Sequence, residues 1–344
     1  MTIALRCLPL LVQYEVMHNM NLIDVFTLLA TSKKSRLQTK YYFNRQKCVV
    51  EYIVDAELIH IHRNPSSKNY SPERDYVEMS SLPALEIPRG HAHLLELAVE
   101  LFPKLTLNLD FPNKSYRATD FQNTMAYVRS LNVPIITVKV GPSNKINDDL
   151  MRCVLLSCTD VKNLTIRNFS HTRFHLSYQP VPPFKFDFIE LKGAEWVTKD
   201  RLIDLFLGCK KVILGSFIRL SYSDLELVEI CGNWLRAPAA QYLEIQSIET
   251  FSEGIGRLPG AVPVKGVTLD DEDRIEFAAR KCYKMEKADG TPAIIYHHEN
   301  CIVFRTDFEN AVIGEGTEPV VDPVHPFVAA YPALFHPGGL NYYW

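Results

Sequence analysis

The chain has 344 residues, 47% of them hydrophobic, with 40 acidic against 37 basic side chains and a formal net charge of -3. That balance argues against nucleic acid as the main partner, because neutralising phosphates needs a basic surface. The hydrophobic content is ample for a sizeable core in two or three domains, and no apolar run reaches the roughly 20 residues of a membrane-spanning helix.

At the start, the apolar stretch from Cys7 to Val12 is too short for a secretory signal and is flanked by Arg6 and Glu15. The eight cysteines (Cys7, Cys48, Cys153, Cys158, Cys209, Cys231, Cys282 and Cys301) are scattered, with no C-x-x-C pair. Both observations fit a reducing compartment, cytoplasmic or nuclear. The sequons at Asn69, Asn113, Asn163 and Asn168 then carry no weight.

Residues 1–46 read as a separate helical unit. Leu8-Pro9 leads into Leu10, Leu11, Val12, Val16, Met17 and Met20, an apolar side of a short helix. Asn21 can cap a second helix with Leu22, Ile23, Phe26 and Leu29, and after Thr31-Ser32 a third begins at Lys33. Three short helices cannot bury all of these side chains among themselves, so part of this surface is expected to meet a partner. Lys33, Lys34, Arg36, Lys40, Arg45 and Lys47 form a basic run, read either as a solvated face or as steering towards an acidic partner.

Val49 to Val54 and Leu58 to His62 flank Asp55-Ala56-Glu57 as a hairpin, and Asn64 to Arg74 is a polar loop. Six strand-like segments follow: Leu105 to Phe111, Ile135 to Gly141, Asn163 to Phe169, Asp187 to Gly193, Lys211 to Phe217 and Gln241 to Ile248. Their starts lie 30, 28, 24, 24 and 30 residues apart, a spacing that suits one strand, turn and helix per unit. The intervals carry helical stripes: Phe121, Met125 and Val128 after Thr119-Asp120; Leu150, Met151, Val154 and Leu155 after Asn147; Leu202, Leu205 and Phe206 after Thr198; and Leu225, Val228, Trp234 and Leu235 after a Ser223/Glu226 capping box. Only Ser170 to Pro183, with its prolines, breaks the pattern. The fold class is therefore α/β, an irregular leucine-rich-repeat-like array over 105–248; the plainer alternative is an ordinary sheet with even crossovers. Near the end, Asp289-Gly290 reads as a type I′ hairpin turn between Cys282 to Lys287 and Ala293 to Tyr296, and Cys301 to Phe308 adds a third strand. This meander over 280–308 would close the last repeat. Residues 314–344 form a Pro-rich irregular tail.

Several constellations that could hold chemistry have plainer readings. His91 and His93 are two apart at a helix start or surface loop, and His297-His298-Glu299 lies in a turn. Asp270-Asp271-Glu272-Asp273 lacks the alternating ligands and glycine of a calcium loop and reads as an acidic helix start. Gly254-Ile255-Gly256 has no third glycine. No catalytic residue, metal ligand or cofactor is expected.

Leu8-Pro9, Met20-Asn21-Leu22-Ile23-Asp24 and Ser32-Lys33-Lys34-Ser35 resemble an F-box of the type expanded in nematodes. Leu220 to Ile245, running from a serine-aspartate helix start through Trp234-Leu235 into Gln241-Tyr242-Leu243-Glu244-Ile245, resembles the F-box-associated type 2 domain. Tyr283 to Ile295, with Lys287-Ala288-Asp289-Gly290-Thr291-Pro292-Ala293, is similar to a hairpin of that domain. The resemblance implies an F-box over 1–46 and a substrate-binding domain over 47–313. It implies a substrate receptor of an SCF (adaptor, cullin, F-box) ubiquitin ligase, which binds a Skp-type adaptor, and through it the cullin, and captures a protein substrate with no catalytic residue of its own. Leu8, Pro9, Leu10, Val16, Met20, Ile23, Leu29 and Lys33 would face the adaptor. Substrate contact is expected from strand positions Asn108, Lys139, Arg167, Glu190 and Glu244 and from the charged hairpin tip at Lys287 and Asp289. The nearest glutamate after Leu8-Pro9 is Glu15, which leaves room for a second reading: an interaction scaffold whose F-box no longer recruits a ligase.

Overall fold

A computed structural model describes residues 8–44, 46–54, 58–63, 76–78, 91–112, 116–143, 148–168, 174, 181–216, 220, 222–246, 253–269, 274–276, 281–298 and 300–313. The turn at Asp55 to Glu57, the loop from Asn64 to Arg74, the Asn147 cap, the Asp270 to Asp273 run, Glu299 and the tail from 314 onward lie outside the described residues. The chain is mixed α/β and divides into two compact units, residues 1–143 with 153–161, and residues 144–152 with 162–344.

The first unit opens with α1 (Leu10–Asn19), α2 (Leu22–Thr31) and α3 (Lys33–Phe43). Asn21 Oδ1 accepts the Asp24 amide at 2.8 Å, and Ser32 Oγ accepts the Ser35 amide at 3.1 Å. Each cap satisfies an orphan amide that an unfolded turn would give to water, which fixes where the helices start. Leu22, Val25, Phe26 and Leu29 form the inner stripe of α2 and are fully buried with Met17, Tyr42 and Phe43. Phe43 meets Phe102 edge-on at 5.5 Å, and Lys40 Nζ lies 2.7 Å from Glu100. The three helices thus share a compact unit with the strands that follow. A bundle this small buries too little surface alone and gains it from the end of the next helix.

After them come β1 (Lys47–Ile53), β2 (Leu58–Arg63), β3 (Tyr76–Glu78), α4 (His91–Leu101), β4 (Lys104–Phe111), α5 (Ala118–Ser130) and β5 (Ile135–Ser143). The sheet order is β3-β2-β1-β4-β5. The β1–β2 hairpin is antiparallel as expected, but β1 also lies parallel to β4, with Glu51 opposite Asn108. β4 and β5 are parallel in turn. Leu105, Leu107, Leu109 and Phe111 point into the core, where Phe111 meets Phe121 of α5 at 4.8 Å. α5 starts at Ala118, two residues earlier than a Thr119 cap would place it. Arg117 is its cap residue, and the Asp120 carboxylate accepts the Arg117 amide at 3.2 Å.

The boundary between units passes within α6 (Asp148–Ser157), whose Leu150, Met151, Val154 and Leu155 are buried as the stripe predicts. The second unit then contains β6 (Asn163–Asn168), β7 (Phe188–Lys192), α7 (Lys199–Arg201) running on as a π-helical turn over Leu202–Phe206, β8 (Lys211–Gly215), α8 (Asp224–Arg236) and β9 (Tyr242–Gln246). Strands β6 to β9 are neighbours in order and all parallel. Leu164, Ile189, Val212 and Leu243 form one buried row across them. The Ser223/Glu226 capping box is present: Glu226 accepts the Ser223 amide at 2.8 Å while Ser223 Oγ accepts the Glu226 amide at 3.3 Å.

A 3-10 turn (Glu253–Arg257) leads to β10 (Val262–Leu269), β11 (Arg274–Glu276), β12 (Cys282–Glu286), β13 (Pro292–His298), β14 (Cys301–Arg305) and β15 (Phe308–Ile313). β14 pairs antiparallel with β9 and with β13, and β12 joins β13 to β10. Two expectations need correction. Cys301 to Phe308 is not one strand: β14 stops at Arg305, whose Nε bonds Asp307 at 2.8 Å, and β15 turns away to pair with β10. The Asp289-Gly290 turn is not type I′, which needs φ > 0 at both central residues. Gly290 alone is left-handed there, with φ 84°; its amide bonds Lys287 O at 2.9 Å and the Lys287 amide bonds Thr291 O at 2.9 Å. That is a type I turn followed by a left-handed glycine.

Candidate functional site

Three surfaces carry the residues singled out from the sequence. On α1, Pro9 occupies the cap position, and only Met17 within the helix is buried. Gln13 pins the helix inward, accepting from Tyr42 Oη at 2.5 Å and from Gln38 Nε2 at 3.2 Å. The remaining apolar side chains stand outward: Leu10 is 61% and Leu11 73% exposed, with Val12, Tyr14 and Val16 also exposed. On α3, Leu37 and Tyr41, one turn apart, are exposed as well. Of the expected partner-facing residues, Pro9, Leu10, Val16 and Lys33 are exposed and Leu8, Met20 and Ile23 half-buried. Leu29 is 0% exposed and belongs to the core, because it continues the inner stripe of α2; it backs this surface and does not form it. Leu11, Leu37 and Tyr41 were not singled out. Their signal was apolar residues on more than one side of α1 and α3, more than a single core contact can cover.

The second surface is the sheet face of the first unit opposite α5. Strand alternation places Glu51, Thr106, Asn108, Asp110, Thr137 and Lys139 there, half-exposed. Asn108 and Lys139, both expected to contact substrate, do share it. Lys139 Nζ lies 3.0 Å from Glu51 Oε1, reaching across β4 to β1. On the neighbouring β2, His60 is paired with Glu51 in register, and His62 Nε2 is 4.0 Å from Glu51 Oε2. One nitrogen of each imidazole and one oxygen of Glu51 lie within 4.8 Å of one another. Sequence reasoning missed this trio, although His60 and His62 at period two on a strand must share a face.

The third surface is one face of the β6 to β9 sheet of the second unit. The register sets Thr165, Glu190, Ile213 and Glu244 in one row and Arg167, Lys192 and Gly215 in the next. Glu190, only 13% exposed, is 3.5 Å from both Arg167 and Lys192. Glu244 accepts from Tyr242 Oη at 2.6 Å and Gln246 Nε2 at 2.7 Å. Burial and the adjacent Glu244 carboxylate push the Tyr242 phenol far above its ordinary pKa, so it remains a donor. Lys211 lies 4.3 Å over the Tyr242 ring. Arg167, Glu190 and Glu244 are thus brought together as one mixed-charge, ion-paired face.

Lys287 does not belong to an exposed tip. It is 4% exposed, and its Nζ turns inward to donate to the carbonyls of Trp234 at 2.9 Å, Ala237 at 2.7 Å and Ala240 at 2.6 Å. A long flexible stem lets the ammonium leave the hairpin and satisfy carbonyls at the end of α8, which carry the negative pole of that helix. Asp289 is exposed as expected and is committed to its own turn, accepting the Thr291 amide at 3.0 Å.

The other constellations resolve plainly. α4 begins at His91, a helix start as read. His297 and His298 do not lie in a turn as expected but end β13, paired with Ile302 and Cys301; His297 is buried and His298 exposed, so the two point to opposite faces and cannot hold one ion. Gly254 to Gly256 lies in a 3-10 turn. No disulfide joins the seven described cysteines, and burial pushes the Cys158 and Cys209 thiols up to about 12. Among the described residues, no helix is long and apolar enough to cross a membrane. Compared with known proteins, the chain matches no family model, no curated protein and no solved structure.

Proposed function

We propose that the chain is the substrate-recognition subunit of an SCF-type ubiquitin ligase, with α1 to α3 as the F-box that engages a Skp-type adaptor and the α/β region as the substrate receptor. The observation that carries this reading is the outward apolar surface of α1, directly after Leu8-Pro9, on a helix held in place by Gln13. Exposed leucines on a pinned helix have the form of anchors for a helix-in-groove contact. The exposed Lys33 and Lys34 at the start of α3 would favour an acidic partner surface. The receptor acts by tethering: a captured protein is held near the ubiquitin carrier, which raises its effective concentration, and the chemistry belongs to other subunits. The parallel strands, each followed by a helix where the crossover is described, support a leucine-rich-repeat-like array whose open strand faces do the capturing.

The test is a titration of the purified full chain with a Skp-type adaptor. Wild type should bind, and Leu10→Asp/Leu11→Asp should lose about a hundredfold or more in affinity with an unchanged melting temperature, since both positions are solvent-facing. Unchanged affinity in that variant would sink the assignment. A second reading, a scaffold with a degenerate F-box, draws on the absence of any acid in the first turn of α1, where many F-boxes carry a glutamate. It predicts no adaptor binding by wild type itself.

A further inference from the structure

We propose that Glu51, His60 and His62 form a binding site for a divalent cation of the zinc class on the open sheet face of the first unit, a site independent of the ligase reading. The donor set carries the argument. Two imidazoles and one carboxylate are the ligands that borderline metals such as Zn2+ take in three-residue sites, leaving a fourth position for water. All three come from paired strands, not loops: β1 and β2 are in register from Cys48 opposite Arg63 to Tyr52 opposite Ile59, so the backbone spacing of the ligands is fixed. His60 and His62 alternate onto the same side of β2, their ring centroids 6.4 Å apart, and Glu51 stands directly across from His60.

Donors around one tetrahedral zinc at 2.0–2.1 Å are about 3.3 Å from each other. The three donor atoms here lie within 4.8 Å, and Glu51 Oε2 to His62 Nε2 is 4.0 Å. Seating the ion requires side-chain rotation about χ angles to close the remaining gap. Lys139 supplies the orienting contact: its Nζ holds Oε1 of Glu51 at 3.0 Å and leaves Oε2 turned towards His62. The same ammonium is also a cation that the incoming ion must tolerate, so Lys139 sets the affinity as well as the geometry.

The experiment uses the full chain with any affinity tag removed, titrated with Zn2+ by calorimetry and with Co2+ by visible absorption. Wild type should bind one equivalent of Zn2+ and give the intense visible bands of tetrahedral Co2+. His60→Gln/His62→Gln should weaken binding at least about a hundredfold, and Glu51→Gln about tenfold or more. Should the double variant fail to fold, the nearly isosteric Glu51→Gln keeps the test available. Lys139→Met should tighten binding several-fold by removing the competing charge. Absence of saturable Zn2+ binding, an affinity undiminished in Glu51→Gln, or an affinity indifferent to Lys139→Met would each overturn the site.

Discussion

Lys287 and Trp234 lie far apart in the chain yet meet twice: the ammonium donates to the Trp234 carbonyl at 2.9 Å and sits 4.1 Å from the centroid of its indole ring. Two further carbonyls complete the ammonium's donor capacity, so one side chain closes the end of α8 from the far side of a hairpin. Replacing it with methionine keeps the stem and removes the donors. Lys287→Met should lower stability by about 2–4 kcal/mol, because three buried carbonyls lose their partner. Chemical denaturation of the two proteins at neutral pH measures it, and a difference near zero would refute the capping role.

Burial also pulls the Lys287 pKa down to about 8, below the ordinary lysine value near 10.4. Above pH 8 the folded chain has shed a proton that the unfolded chain still holds up to about pH 10.4. The unfolded state then binds more protons, so this group's contribution to stability rises with pH across that window and is flat below it. The stability gap between wild type and Lys287→Met should therefore widen between pH 8 and 10, by at most about 3 kcal/mol. A gap that narrows over the same range would reverse the assigned shift.

Phe121 is fully buried against Phe111. Phe121→Ala should cost about 3–5 kcal/mol through lost burial and the cavity left behind. Thermal unfolding reads this directly, and a cost under about 1 kcal/mol would mean α5 does not pack as described.

For the open face of the second unit, charge reversal at Arg167, Glu190 and Lys192 together keeps both pairings of residue 190 while presenting the opposite pattern to a partner. Stability should change by about 1 kcal/mol or less, the usual range for partly exposed pairs, whereas capture of the true substrate should weaken. Comparing substrates trapped by wild type and variant checks this. Equal capture would place the binding face elsewhere.

Much of this was legible in the sequence. The six strands appear within a few residues of their expected bounds, since most of them alternate and Ser223 and Thr198 mark helix starts with side chains that do cap. The pairing of β1 with β4 was not legible, because alternation in Val49 to Tyr52 says which face is inside but not which strand lies alongside. The same gap hid the Glu51 trio: His60 and His62 declare a shared face, but only the register brings Glu51 beside them. Lys287 misled for a different reason. A neighbouring Asp-Gly turn marks an exposed tip, and nothing local reveals that a four-carbon stem turns back to a helix end.

β9 takes β8 in parallel on one edge and β14 in antiparallel on the other. The two edges differ in how early they can form. Parallel neighbours from β6 to β9 are joined by modest crossovers, and β12 to β14 by tight reversals, so each side can assemble from nearby chain. Pairing Gln246 with Cys301 instead waits for the whole intervening segment to be ordered. This seam should be the last part of the second unit to gain protection during refolding, and the first at which the meander, with Lys287 released from α8, comes away under mild denaturant.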